Sequence, residues 1–319
     1  MTELPKYDEL PAAPRGGRSG WGLFGSSDSV GLMNLLSAES VKRAAGLVRT
    51  GEVFPLDAPL DMLDPPLFGR SPLRVTARQT RGGQGLDETY DGFNPQASSQ
   101  WDALGHVSYA KEEFYNGATL QEVQEGGRNT IDHWAARGIV ARGVLLDLER
   151  TAQEDGRAYD PGTSHAFSAD DLERARQAAG VTFAQGDVIV LRTGFMRWYR
   201  DLSFAERTRV ADHTQLAACG IEHSEDMARY LWNTHAVAVA SDGPALEVWP
   251  VDWSDEGYPF GYLHQMLIAQ FGLAIGELWL LEDLAAACAA DGVCEFMLTS
   301  APLHTRGGVG SPANALAIR

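Results

Sequence analysis

Apolar positions along the chain switch between two spacings. From Ala38 to Val48 they recur at Val41, Ala44, Ala45 and Val48, one face of a helix, with Ser37 placed to cap its start and Gly51 to end it. Ser168, followed by Asp170 and Asp171 at what would be the positive end of the dipole, predicts a second helix running to about Ala179. A third helix is predicted over Ser224 to Trp232, and a fourth over Phe260 to Phe271, terminated by Gly272. Short apolar runs predict strands at Val53–Leu56, Leu73–Arg78, Ile139–Leu148, Gly186–Gly194, Ala236–Ala240, Leu273–Leu280 and Phe296–Leu303. Asp64-Pro65-Pro66, Gly82-Gly83-Gln84-Gly85 and Gly307–Asn314 predict loops. Residues 1–20, rich in Pro, Gly and Arg, predict an extended N-terminal arm, and residues 21–319 a single domain. Strands alternate with helices, several strands crowd the first half, and no internal repeat is visible. The expected fold class is α/β with a mixed sheet.

Composition narrows the function. The chain has 319 residues, and its 44% hydrophobic and 22% charged content is that of an ordinary globular protein. Lys+Arg 26 against Asp+Glu 43 gives a net charge of −17, which repels nucleic acid and anionic membrane. Three cysteines, Cys219, Cys288 and Cys294, form no Cys-x-x-Cys pair, and the first residues carry no apolar signal core. The expectation is reduced thiols, a cytoplasmic location and no membrane span. No Gly-x-Gly-x-x-Gly follows a strand, no Walker loop is present, and no Gly-x-Ser-x-Gly elbow surrounds Ser98 or Ser99.

The candidate chemistry begins at Asn94-Pro95-Gln96-Ala97-Ser98-Ser99-Gln100-Trp101-Asp102-Ala103-Leu104-Gly105-His106. Asp102 and His106 stand four apart, so a helix or tight turn would aim both side chains the same way. Such a pair can bind a metal, act as a base with its orienter, or simply form a surface contact. A metal needs further ligands from distant segments. His264, near the start of the fourth predicted helix, and Glu277, in the strand after it, are the candidates. A glutamate in so apolar a strand needs a partner if it is buried. Two imidazoles and two carboxylates make a mixed N/O set that suits one Zn²⁺ or Mn²⁺ ion with room for water. Trp21, Phe93 and Trp101 are candidates to line an apolar pocket for a planar or ring substrate, each with ordinary core packing as its alternative.

From Trp21 to the C-terminus the chain resembles the cyclase family that includes bacterial kynurenine formamidase and isatin hydrolase. That family's signature is His-x-Gly-Thr-His-x-Asp-x-x-x-His. In the same register this chain reads Gln96-Ala-Ser-Ser-Gln100-Trp-Asp102-Ala-Leu-Gly-His106. Arg142–Asp147, Gly186–Gly194, His264 followed by Gly272 and Glu277, and Gly308–Asn314 match as well. The resemblance implies a swivelling β/β/α fold, a homodimer or homotetramer, and metal-dependent hydrolysis of a small amide, formamide, cyclic imide or lactone.

The departure lies at Gln96 and Gln100, where the signature has histidines. An amide oxygen is a poorer zinc ligand than imidazole. In two-metal relatives the leading histidines hold one ion, and the last His with the downstream His and Glu holds the other. By that resemblance this chain keeps only the second set. The expectation is one ion on Asp102, His106, His264 and Glu277, with His106 and Glu277 as proton-transfer residues and Gln96 and Gln100 left to bind substrate or orient water. A rival arrangement makes His106 the base rather than a ligand, and a third has no metal. A cyclase or lyase reaction on a polyketide-like substrate, and a non-catalytic small-molecule binder, are the competing functions.

Overall fold

The structure, a computed structural model, describes residues 4–319. Thirteen strands occur in it: β1 (Val53–Pro55), β2 (Arg74–Gln79), β3 (Leu86–Asp91), β4 (Gln100–Asp102), β5 (Ile139–Asp147), β6 (Ala166–Phe167), β7 (Val188–Arg192), β8 (Gly220–Ile221), β9 (Ala238–Ser241), β10 (Ala274–Glu277), β11 (Glu295–Ser300), β12 (Gly310–Pro312) and β13 (Ala315–Ile318). The α-helices are α1 (Ala38–Ala45), α2 (Leu120–Gln124), α3 (Asp132–Arg137), α4 (Leu148–Glu154), α5 (Ala169–Ala178), α6 (Phe195–Asp201), α7 (Phe204–Ala211), α8 (Glu225–Asn233), α9 (His264–Leu267) and α10 (Glu282–Asp291).

Nine strands form one mixed sheet in the order β1-β13-β11-β5-β7-β9-β10-β4-β12. Its centre, β5-β7-β9-β10, is parallel, and the strands on either side pair antiparallel. The central strands read Val-Ile-Val-Leu and Ala-Val-Ala because helices and loops cover both faces, leaving no side to water. The α/β class with a mixed sheet is what the alternation of strand and helix signals implied.

Ser37 and Ser168 cap their helices as expected, and Ser224 caps the third. Ser37, Ser168 and Ser224 accept hydrogen bonds from the backbone N–H groups of Ser40, Asp171 and Met227, satisfying donors that the helix itself leaves orphaned. The fourth predicted helix is shorter than expected. Residues 260–263 are turns, α9 begins only at His264, and hydrogen-bonded turns carry the chain on to Gly272. Gly272 has a φ of +68° and crosses Gly31 so closely that a Cβ on Gly31 would lie 2.2 Å from the Gly272 carbonyl oxygen. That crossing, sealed by the Leu32 N–H donating to the same carbonyl at 2.8 Å, fixes where β10 starts.

One predicted turn stays a turn and one predicted loop contains a strand. Gly82–Gly85 is the tip of an exposed hairpin, β2–β3, and Gly310–Pro312 becomes the edge strand β12, paired with β4. Residues 4–20, expected to form an extended arm, include a 3-10 turn at Tyr7–Glu9 and pack on the rest of the chain. Leu4, Tyr7, Leu10 and Ala13 are buried, the Tyr7 hydroxyl donates to Glu225 at 3.0 Å, and the Trp232 indole donates to the Pro5 carbonyl at 2.9 Å. No helix among the described residues is long and apolar enough to cross a membrane.

Candidate metal centre

Strand β4 lies between β10 and β12, with Gln100 opposite Glu277 and Pro312, and Asp102 opposite Ile275 and Gly310. Alternation along a strand puts Gln100 and Asp102 on one face and Trp101 on the other. The polar face meets Glu277, the last residue of β10, and His264, the first residue of α9. Asp102, His264 and Glu277 are all buried, at 0, 2 and 3% exposure. One ligand atom from each lies within 4.8 Å of the other two. His264 Nε2 stands 3.1 Å from Glu277 and 3.8 Å from Asp102. Its other nitrogen, Nδ1, is 2.7 Å from Glu247, which is itself fully buried and also accepts from the His264 backbone N–H at 3.3 Å. A carboxylate behind the imidazole fixes the ring and turns Nε2 toward the cluster, the usual wiring of a metal-bound histidine.

The two glutamines face this cluster. The Gln96 amide donates to Asp102 at 2.6 Å and lies 3.1 Å from His106 Nδ1. Gly310 leaves it room, since a Cβ there would come within 2.5 Å of the Gln96 side chain. Gln100 donates to Glu277 at 2.7 Å, and more weakly to Asp102 at 3.3 Å. The Gln100 side-chain oxygen, Oε1, is buried with no hydrogen-bond partner among the described residues. An orphaned buried acceptor beside two carboxylates and an imidazole is a setting in which a cation relieves unmet charge.

Electrostatics agree. Burial pushes Glu277 up, with the charge of Asp102 adding to it and His264 opposing. Burial alone would raise Asp102 too, but the facing His106 and His264 outweigh it and hold this carboxylate below its ordinary range. Burial would lower His264, yet Glu247 and its other anionic neighbours lift it well above the ordinary value. His106 is held down by burial, with Asp102 only partly compensating.

The sequence-derived residues therefore separate. Asp102, His264 and Glu277 converge. His106 stands in the turn after β4, where its N–H donates to the Ala103 carbonyl at 2.9 Å. Its Nε2 is 3.7 Å from Asp102 and its side chain is 24% exposed, so it sits at the rim, outside the three-residue group. Asp102 is on a strand rather than a helix, and the turn supplies the common direction that the spacing suggested. Trp101, expected to line a pocket, is turned into the core: it is fully buried, edge-on to Trp279 at 4.9 Å, and donates to Ser300 at 2.9 Å. Trp21 donates to the Ala269 carbonyl at 2.7 Å and packs against the core, and Phe93 packs on Tyr90 of the exposed hairpin. Glu247 was missed. It had a signal, a carboxylate between Leu246 and Val248 after Gly243-Pro244. Tyr262, stacked on the His264 ring at 4.7 Å and 14°, was missed as well.

A cavity of about 640 Å³ lies elsewhere, at the ends of β5 and β7. There Arg192 is bound by Asp147, Glu149 and Glu282 at 2.8–2.9 Å, an ion-pair network of the structural kind.

Comparison with known proteins gives the fold a context. A search of the curated proteins finds no match. A solved structure described as a novel cyclase is 29% identical, covers 99% of this chain and 100% of its own, and superposes with a TM-score of 0.82. Isatin hydrolase A from Labrenzia aggregata is 17% identical, covering 86% of this chain and 94% of its own, with a TM-score of 0.59. The Ralstonia solanacearum isatin hydrolase A is 18% identical over 88% of this chain and 95% of its own, with a TM-score of 0.57. The two isatin hydrolases thus share the fold. Residues 53–248, more than half of the chain, match the family described as "Putative cyclase", and the protein belongs to that cyclase family.

Proposed function

We propose that the protein is a metal-dependent hydrolase that opens or cleaves a small amide, formamide, cyclic imide or lactone. The observation that carries this reading is the buried convergence of Asp102, His264 and Glu277, with Glu247 behind the imidazole. The donor set, two carboxylates and one imidazole, suits Zn²⁺ or Mn²⁺. When bound, a divalent ion supplies Lewis acidity that stabilises a developing oxyanion and makes water more acidic.

The chain's own residues supply the rest. Burial holds the His106 imidazole below its ordinary value, which favours the neutral form, and its partial exposure places it to accept a proton from water. The Gln96 amide lies against the His106 ring and on Asp102, holding the two in a fixed relation. Gln100 holds Glu277 in the same way. These neutral donors stand where the resembling signature has histidines, which supports a centre of one ion rather than two.

Metal analysis of protein purified without added ions, beside the same protein carrying Glu277→Gln, tests the reading. One equivalent of zinc or manganese in the first, a large loss in the second, and hydrolysis that tracks occupancy are expected. Full-rate hydrolysis by metal-free protein would sink it.

A further inference from the structure

Arg70 stands beside this centre without an acid to pair with. One N–H of its guanidinium donates to the backbone carbonyl of Gln96, and the same Gln96 reaches Asp102 and His106 with its side-chain amide. A single residue thus separates the guanidinium from the rim histidine. The charge of Arg70 is felt at Asp102, His106 and Glu277 alike. Yet no carboxylate comes within 4.0 Å of it among the described residues, in contrast to Arg192 with its three. The guanidinium lies 5.1 Å from the centre of the Phe68 ring. Phe68 itself has a φ of +59°, the left-handed region that bulky side chains rarely adopt, and its ring meets Trp249 edge-on at 5.1 Å. The backbone is thus held in an unfavourable conformation where it sets a ring beneath a half-buried cation, the kind of local strain that accumulates at ligand clamps.

Net charge sharpens the point. A chain of −17 repels small anions, and the centre adds three buried carboxylates of its own. An arginine spends five N–H donors best on a planar carboxylate, two at a time. Here one N–H goes to the Gln96 carbonyl, and no other hydrogen bond of the guanidinium occurs among the described residues.

We propose that Arg70 is a specificity-determining residue that receives a carboxylate on the substrate, so that the amide or lactone cleaved at the centre belongs to an anionic molecule. This deepens the hydrolase reading and rests on it. The Phe68 ring supports the guanidinium from one side and leaves its edge for the ligand.

Zinc-loaded protein and its Arg70→Gln and Arg70→Lys variants are titrated calorimetrically with chain-matched hydroxamates. Butyrohydroxamate has a neutral tail, while succinic and glutaric monohydroxamates carry a carboxylate at two reaches. In each probe the hydroxamate is the metal-binding end. In the unaltered protein at least one carboxylate tail should bind about tenfold or more tighter than the neutral one, the yield of a charge-assisted hydrogen-bond pair. Arg70→Gln should bring that ratio to about one, and Arg70→Lys should keep part of it. A ratio near one in the unaltered protein, or an equal weakening of both tails in Arg70→Gln, overturns the role of Arg70 while leaving the metal centre standing. Failure of every hydroxamate to bind removes the metal-centred reading and Arg70's role with it.

Discussion

The carboxylate of Glu247 accepts both of its hydrogen bonds from His264, one from the backbone and one from the ring. Its work is to hold an imidazole, so its loss should loosen an ion without removing a ligand. Glu247→Gln is expected to weaken zinc binding about 10–100-fold, the usual effect of removing the partner behind a metal-bound histidine. Competition with a chelator measures this, and affinity within about twofold of the unaltered protein would show the contact to be incidental. His106 makes the opposite prediction. Placed at the rim and outside the ligand group, it should matter to rate more than to occupancy. His106→Asn is expected to lower kcat by about 10²–10⁴, the range for removing a positioned base, with zinc content near that of the unaltered protein. Loss of the ion in that variant would make His106 a ligand instead.

Strand β4 is only three residues long, and it carries the site on one face and the core on the other. Trp101, buried against Trp279, anchors it. Trp101→Ala should destabilise the protein by about 3–5 kcal/mol through the lost packing and the cavity left behind, with the Ser300 hydroxyl losing a donor. Chemical denaturation of metal-free protein checks the size, and a change under about 1 kcal/mol would contradict the core assignment. This strand also shows what was legible in advance. The capped helices α1, α5 and α8 and the central strands β5, β7 and β9 announce themselves, because a repeated period or an unbroken apolar run leaves several residues' worth of signal. Three-residue β4 and β12 have no period to detect, and hairpin strand β3 is exposed throughout, so its polar residues read as loop. Asp102, His264 and Glu277 were legible as a set chiefly through a resemblance that tied distant segments together. Arg70 reaches the site by a tertiary contact with Gln96 that leaves no mark in local sequence, and the orientation of Trp101 follows from a strand that could not be foreseen.

For the molecule as a whole, the buried centre couples folding, protons and metal. In the metal-free state Glu277 is pushed up to about 7 and His264 is raised above its ordinary value. Groups raised in this way favour the folded state while protonated, and that contribution is lost as pH climbs from the ordinary carboxylate range through about 7. An ion requires Glu277 ionised and His264 Nε2 free of its proton, so uptake releases protons and strengthens in the same window. Metal-free protein should therefore melt earlier at about pH 8 than at pH 6, and the rise in Tm on adding zinc should be larger at the higher pH. Differential scanning fluorimetry at both pH values measures it. A zinc-induced shift that is equal at both, or greater at the lower pH, would contradict the assignment of these two groups.

Pairing on both edges gives β4 one further consequence. Side chains along it alternate, so sliding the ribbon by a single position would send the indole of Trp101 toward the centre and bury Gln100 and Asp102 among apolar neighbours. Inserting or deleting one residue between Asn94 and Ser99 risks that inversion, whereas exchanging one side chain for another does not. Diversification of this protein toward new substrates is accordingly open to replacement in this stretch and closed to changes in its length.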